Sequence, residues 1–425
     1  MQKAWLIAVN MGYGHQRTAY PLKDLAFSGK VIQANDYEGI SAKDRRVWET
    51  SRNVYEFVSS FKRVPLLGNF VFSILDFFQR IFSFYPKRDL SKPSSQLKQV
   101  YSFIKMGWGK DLVEMLKKNP LPIVSTFSVP AFMAEHFGYP GEIFCVVCDA
   151  DISRSWAPFI PQKSRIKYFA STQRSAERLK LYGVKPENII LTGYPLPKEL
   201  IGSESSEILK EDFKYRLLNL DSKKRYFEKY KTLIEEKLGV LPEKSDHPLT
   251  IMFSVGGAGS QRDIGINIVK KLAKKIKNNE IKVILSAGVR IKVKNFFEKS
   301  LKILNLNEGV EILFEKDMDS YFKRFNEKLK KIDILWTKPS ELSFYSALGL
   351  PIIIAPAVGS QEDFNKRWLL HVGAGLSQEN PKYADQWFYD LLNAGDLAES
   401  AMQGFMEIEK MGTYNIEKII ANSPK

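Results

Sequence analysis

The feature that most limits how this chain can fold is a rhythm of short, continuously apolar runs separated by helical patterns. The runs are Ala4–Asn10, Val31–Asn35, Ile123–Ser125, Ile143–Cys148, Tyr168–Ser171 and Ile189–Thr192. A second series follows: Leu249–Ser254, Lys282–Ser286, Val310–Phe314, Ile332–Leu335 and Ile352–Ala355. A strand wetted on one face alternates polar with apolar residues, whereas a strand covered on both faces does not, so most of these read as parallel strands under helices. Two series predict an α/β protein with two Rossmann-like, doubly wound parallel-sheet domains. At 425 residues the chain is also too long for one hydrophobic core. The expected division is a first domain over 1–200, a charged helical linker or insertion over 201–246, a second domain over 247–382 and C-terminal helices over 383–425 that pack back toward the first domain.

Ligands of such sheets bind beyond the carboxyl ends of the strands, and three segments there carry unusual residues. The first is "MGYGHQRTA", where Gly12 and Gly14 follow the first strand and His15, one of four histidines, stands at the start of the next helix. It is not a full dinucleotide fingerprint, because Arg17 occupies the third glycine position. The second is "SVGGAGSQRD": Ser254 ends a strand, and Gly256, Gly257 and Gly259 precede a helix starting near Arg262. Glycines let backbone amides approach an anion, and a helix N-terminus adds about half a positive charge. No Gly-Lys-Ser/Thr follows, so this is no P-loop. The third is "DILWTKPSELSFYSALGLPIIIAPAVGSQEDFN", residues 333–365. Here Ser340 is expected to cap a helix, and Ser340, Glu341, Gln361, Glu362 and Asn365 lie at two successive strand ends. A helix N-terminus beside hydroxyl acceptors suits a sugar nucleotide.

Other features narrow the partners. The formal charge of +15 suits an anionic partner, and no zinc finger, aromatic RNA-binding signature or Arg-rich arm points to nucleic acid. Residues 64–88, "VPLLGNFVFSILDFFQRIFSFYPKR", read as a helix with one narrow polar stripe (Asn69, Ser73, Asp76, Arg80, Ser83) and a wide aromatic arc including Phe70, Phe77, Phe78 and Phe82. Such a helix lies in a membrane interface with Arg88 and its neighbours at acidic headgroups, or packs among the helices of the first domain. No apolar run is long enough to span a bilayer. The N-terminus enters a strand pattern at once, without the apolar core of a signal peptide, so a cytoplasmic protein at the inner face of a membrane is expected. Cys145 and Cys148, three apart in a strand, point to opposite faces and read as buried structural cysteines. In "DAD", Asp149 and Asp151 are site carboxylates facing an acceptor, or turn residues.

Taken in order, these segments resemble the GT-B glycosyltransferases, in the branch of monogalactosyldiacylglycerol synthase and the peptidoglycan N-acetylglucosaminyltransferase. "MGYGHQRTA", "FCVVCDADISRSW", "YFASTQRSAERLKLYGVKPENIILTGYPL", "SVGGAGSQ", "ILFEKDMDSYF" and "TKPSELSFYSALGLPIIIAPAVGSQEDFNKRWLLHVGAG" are similar to family motifs and cover most of the chain outside residues 40–115 and 200–235. The resemblance implies two domains facing across a cleft and inverting transfer of a hexose or N-acetylhexosamine from a UDP-sugar to a lipid or membrane-bound acceptor. It implies no metal or other cofactor, with His15 as base and Asp149 or Asp151 beside it. Donor contacts would come from Gly14, Ser254, Gly256, Gly257, Arg290, Phe314, Met318, Lys338, Ser340, Glu341, Gln361, Glu362 and Asn365. One departure concerns the ribose: the family's glutamate falls at Phe344, counting back from Gly349, and Glu341 one turn earlier is the available carboxylate. The same architecture also serves UDP-N-acetylglucosamine 2-epimerases, and the altered donor loop fits a degenerate sugar-nucleotide binder.

Overall fold

The computed structural model describes residues 2–50, 81–256, 259, 261–306, 308–357 and 360–423. The chain forms two compact units. The first comprises Met1–Leu196, Val358–Asn365 and Met411–Lys425; the second comprises Pro197–Ala357 and Lys366–Lys410.

In the first unit the strands β1 (Trp5–Ala8), β2 (Ile32–Gln33), β3 (Ile123–Ser125), β4 (Ile143–Val146), β5 (Lys167–Ala170) and β6 (Ile189–Leu191) form one parallel sheet in the order β2-β1-β3-β4-β5-β6. All six coincide with runs read from the sequence. The chain leaves β1 toward β2, then returns to β3 on the other side of β1, so the direction of winding reverses between β1 and β3. Leu6, Ala8, Val124, Phe144, Val146 and Phe169 face Leu22 and Leu25, and Ile416 and Ile420 of the last helix, Gly412–Ala421, complete this core. Phe144 and Phe169 stack with centroids 4.9 Å apart.

Part of the expected interfacial helix is corrected. Residues 81–88 form no helix; Phe70, Phe77, Phe78 and the rest of 64–80 lie outside the described residues. Ile81 and Phe84 are buried while Phe82 is 48% exposed. The Phe82 carbonyl accepts from Arg178 at 2.9 Å, and the Arg174 and Arg178 guanidiniums lie 4.1 and 5.0 Å from the Phe84 ring centroid. These contacts give the segment its backbone partner and its packing, and Pro86 cannot donate to a helical ladder.

The second unit repeats the device. Its strands β7 (Leu249–Ser254), β8 (Ile281–Gly288), β9 (Val310–Phe314), β10 (Ile334–Thr337), β11 (Ile352–Ile354) and β12 (Gly375–Ser377) run parallel in the order β12-β11-β10-β7-β8-β9. Its winding reverses between β7 and β10. Strand β12 was not anticipated: three residues opening on glycine give no apolar run to recognise.

The segment expected as linker belongs to this unit. Helices Glu207–Leu220 and Arg225–Leu238 bury Leu209, Phe213, Leu217, Leu220, Tyr226 and Ile234. Phe213 meets Phe405 at 5.1 Å. The sequence shows these helices but not their burial, because only one stripe of each is apolar amid the charge. Arg216, fully enclosed, anchors the first of them by donating to the carbonyls of Ile332 (2.7 Å), Leu348 (2.5 Å) and Leu329 (3.1 Å). Helices Ala384–Ala394 and Asp396–Glu407 also belong to the second unit, so of the C-terminal region only the last helix joins the first.

At the amino-terminal edge of the second sheet, both ring nitrogens of His247 face carboxylates: Nε2 lies 3.1 Å from Asp333 Oδ1 and Nδ1 2.5 Å from Asp246 Oδ1. Asp333 also accepts from the Thr250 amide at 2.7 Å and from Asn219 at 3.0 Å. Burial opposes a charged ring, but the bonds and charge of Asp333 and then Asp246 carry the His247 pKa above its ordinary value.

Two outcomes follow from these anchors. Arg216→Leu strands three buried carbonyls, and urea unfolding is expected to show a loss of at least about 3 kcal/mol. A folded-state pKa above the unfolded one stabilises fully below the unfolded value and is lost as pH rises through the folded one. The destabilisation by His247→Ala is therefore expected to be larger at about pH 5.5 than at about pH 8.5, and denaturation at the two pH values checks this.

Candidate functional site

At the reversal of the first sheet, β1 leads into the helix Tyr13–Ala19 through Gly12, whose φ of 101° and ψ of −179° suit glycine alone. This turn sets His15 in the first turn of the helix, half-buried, above the end of β3. Its Nδ1 lies 2.7 Å from the carbonyl oxygen of Thr126. A carbonyl only accepts, so Nδ1 carries the proton; in the neutral ring Nε2 then holds the lone pair. The Thr126 hydroxyl in turn donates to the His15 carbonyl at 2.9 Å, and Thr18 donates to the Gly14 carbonyl at 2.8 Å. The rings of Phe127 and Trp156 lie 4.8 and 6.2 Å from the imidazole. Cys148, read as a structural core cysteine, stands just past β4 with its sulfur 3.5 Å from Nδ1. Neither Thr126 nor Cys148 carried a signal in the sequence, because only the β1-β3-β4 adjacency brings them to His15.

The two aspartates of "DAD" separate in role. Asp151 binds Arg178 through both oxygens, at 2.8 Å each, and neither side chain is more than 3% exposed. This buried fork corrects the expectation that Asp151 faces an acceptor: its lone pairs are directed at the guanidinium. Asp149 accepts from the amide of Gln361, from Asn365 at 3.0 Å and from the Cys148 thiol at 3.6 Å. Asn365 also accepts from the Ala150 amide at 2.8 Å. Gln361 and Asn365, expected to meet a donor, are thus engaged with Asp149 inside the first unit. Glu362 is half-buried on the same helix, Ser360–Val372. Among the described residues no group of three or more His, Cys, Asp or Glu could hold a metal ion.

In the second unit, eight expected donor contacts lie at or just beyond the carboxyl ends of adjacent strands. Ser254 ends β7 and Phe314 ends β9; Gly256, Arg290 and Lys338 follow β7, β8 and β10 by one or two residues. Met318 opens a helix capped by Asp317, whose carboxylate accepts from the Ser320 amide at 2.9 Å. Gly256 and Lys338 meet where the winding reverses: a Cβ on Gly256 would come 2.2 Å from Lys338 Cε, so only glycine leaves the lysine this path. The Nε of Arg290 is buried with no hydrogen-bond partner among the described residues. Gly257 lies outside the described residues.

The loop after β10 differs from expectation in two ways. Glu341–Leu348 is a 3₁₀ helix, and Ser340 makes no side-chain cap to it. Its backbone is extended, with φ −118° and ψ −153°, the conformation usual at a capping position. Glu341 opens this helix and is 9% exposed; Phe344, which stands where the resemblance places a glutamate, is buried against Trp368 at 5.0 Å.

A family model described as a domain of unknown function (DUF6938) matches residues 241–308. The processive diacylglycerol beta-glucosyltransferase of Bacillus licheniformis is 23% identical over 283 residues, covering 64% of this chain and 61% of that protein. The chain therefore spans less than two thirds of this relative's length. Among solved structures it is similar to MurG of Acinetobacter baumannii, at 14% identity and a TM-score of 0.45 over 76% of this chain and 77% of that one. It is also similar to Anabaena Alr3699/HepE in complex with UDP and glucose, at 12% identity and a TM-score of 0.47 over 99% and 100%. The curated relative's name, a diacylglycerol glucosyltransferase, agrees with the resemblance carried by the motifs. The fold assignment rests on the two parallel sheets themselves.

The buried fork gives a direct check. Asp151→Asn leaves Arg178 enclosed without its counter-charge, and a loss of about 3–5 kcal/mol is expected by urea unfolding. A stability close to that of the unsubstituted protein would return Asp151 to the list of site carboxylates.

Proposed function

We propose that this chain is a glycosyltransferase that moves a hexose or N-acetylhexosamine from a UDP-sugar to a hydroxyl of a lipid or membrane-associated acceptor, with inversion and without metal. The observation that carries the reading is the tautomer of His15: the Thr126 carbonyl holds the Nδ1 proton, which leaves Nε2 as the basic nitrogen. In the transfer, the acceptor oxygen bonds to the anomeric carbon as the bond from that carbon to the diphosphate oxygen breaks. The acceptor's proton goes to His15 Nε2, and the electron pair leaves with UDP. The second unit binds the donor. The amides of the glycine turn after β7, with Lys338 and Arg290, take the diphosphate and the charge that develops on it; Glu341 takes the ribose; Phe314 and Met318 flank the base.

The lipid acceptor is supported by the diacylglycerol-modifying relative and by the surface of the first unit. Phe82 and Tyr85 are 48% and 67% exposed beside Lys87 and Arg88, on a chain of net charge +15. Such a surface suits peripheral contact with an anionic membrane. Among the described residues no helix is long and apolar enough to cross one.

Calorimetry with UDP, against the other nucleoside diphosphates, tests the donor site first. Selective micromolar binding is expected, lowered at least about tenfold by Glu341→Ala, and binding of no nucleotide would overturn the reading. With UDP-sugars and lipid vesicles, His15→Gln is expected to lower kcat by ~10²–10⁴ while UDP affinity holds. Conversion of the donor to its 2-epimer without any acceptor would make the protein an isomerase instead.

A further inference from the structure

Cys148 has no part in the chemistry above, yet its thiol is 3% exposed and sits between the two groups that matter most in the first unit. Its sulfur is 3.5 Å from His15 Nδ1 on one side and 3.6 Å from Asp149 Oδ2 on the other. A thiol is a weak donor and a weak acceptor at once. The carboxylate can only accept, so the S–H is directed at Asp149, and the sulfur lone pairs then face the Nδ1–H that the Thr126 carbonyl already holds. Asp149 is itself fixed by the amides of Gln361 and Asn365. Phe127 and Trp156, which also lie against the ring, are uncharged.

We infer that Cys148 is a positioning residue whose thiol couples the Asp149 carboxylate to the His15 imidazole. The inference rests on the reading of His15 as the base. Its physical content is a chain of two polarised bonds: the carboxylate draws the thiol proton, the sulfur becomes a better acceptor for Nδ1–H, and the imidazolium formed when Nε2 takes a proton is stabilised. The arrangement does for His15 what a directly bonded carboxylate does for other catalytic histidines, through one intervening atom. An alanine at this position reaches neither partner.

The test is a double-substitution cycle read on the histidine itself, so it needs no substrate. The ring nitrogens of the four histidines are followed by nitrogen-15 NMR across pH, with His15 assigned by its disappearance in His15→Gln. Asp149→Asn is expected to lower the His15 midpoint, and in the Cys148→Ala background that same change is expected to shrink by about half or more. Cys148→Ser, which keeps a donor and an acceptor, is expected to recover most of the coupling, and it serves as the second variant should the alanine protein fail to fold. An equal effect of Asp149→Asn in both backgrounds, or loss of coupling in the serine variant equal to that in alanine, would overturn the inference and leave Cys148 as packing. The outcomes stay separable from those of the donor assay. Coupling in a protein that binds no nucleotide would retire the transferase reading alone; UDP binding without coupling would retire only the thiol's role.

Discussion

The structure depends on the parallel ladder. Parallel strands cannot be joined by tight turns, so every connection in these two sheets is a crossover, and every crossover begins at the same edge. Where the winding reverses, the two neighbouring crossovers leave in opposite directions and the carboxyl ends of two adjacent strands stand uncovered. In the first unit this happens between β1 and β3, where His15 meets the Thr126 carbonyl at 2.7 Å. In the second it happens between β7 and β10, where Gly256 lies against the stem of Lys338. The most unusual residues of each half therefore stand at the one place the topology leaves open.

Buried charge is distributed to match. At the amino-terminal edge of the second sheet the polar groups satisfy one another: Arg216 closes three carbonyls, and His247 bridges Asp246 and Asp333. In the first unit the Asp151–Arg178 fork and the bond from Arg178 to the Phe82 carbonyl hold the segment after residue 80 against the helix Gln173–Leu181. Each arrangement pays desolvation back with several directed bonds, which is what permits an arginine to be enclosed. Asp149 is different. The side-chain amides of Gln361 and Asn365 and the Cys148 thiol, all neutral groups, donate to it.

This contrast explains why two aspartates two residues apart diverge. An extended chain would direct both carboxylates the same way, but residues 149–151 form a bend beyond β4. Asp151 meets Arg178 because β5 and its following helix lie beside β4; Asp149 meets Gln361 and Asn365 from a segment more than 200 residues later. Long-range packing assigns the roles.

The sequence by itself determined the fold class, the position of eleven of the twelve strands among the described residues and the location of the glycine turns, because continuous apolar runs and positive-φ turns are written in consecutive residues. It missed β12, which is too short to show a pattern. It read the helices between 207 and 238 as a helical linker or insertion and not as core, since one buried stripe on a charged helix is a weak signal until its partner Phe405 is in view. Of the candidate site, His15 and the strand-end residues of the second unit were legible as residue types beside glycine turns. The tautomer of His15, the separation of Asp149 from Asp151, the extended Ser340 and the placing of Cys148 between a carboxylate and an imidazole were not. Each depends on which strand lies next to which, and hydrogen-bond partners drawn from distant parts of a chain exist only once the sheets have formed.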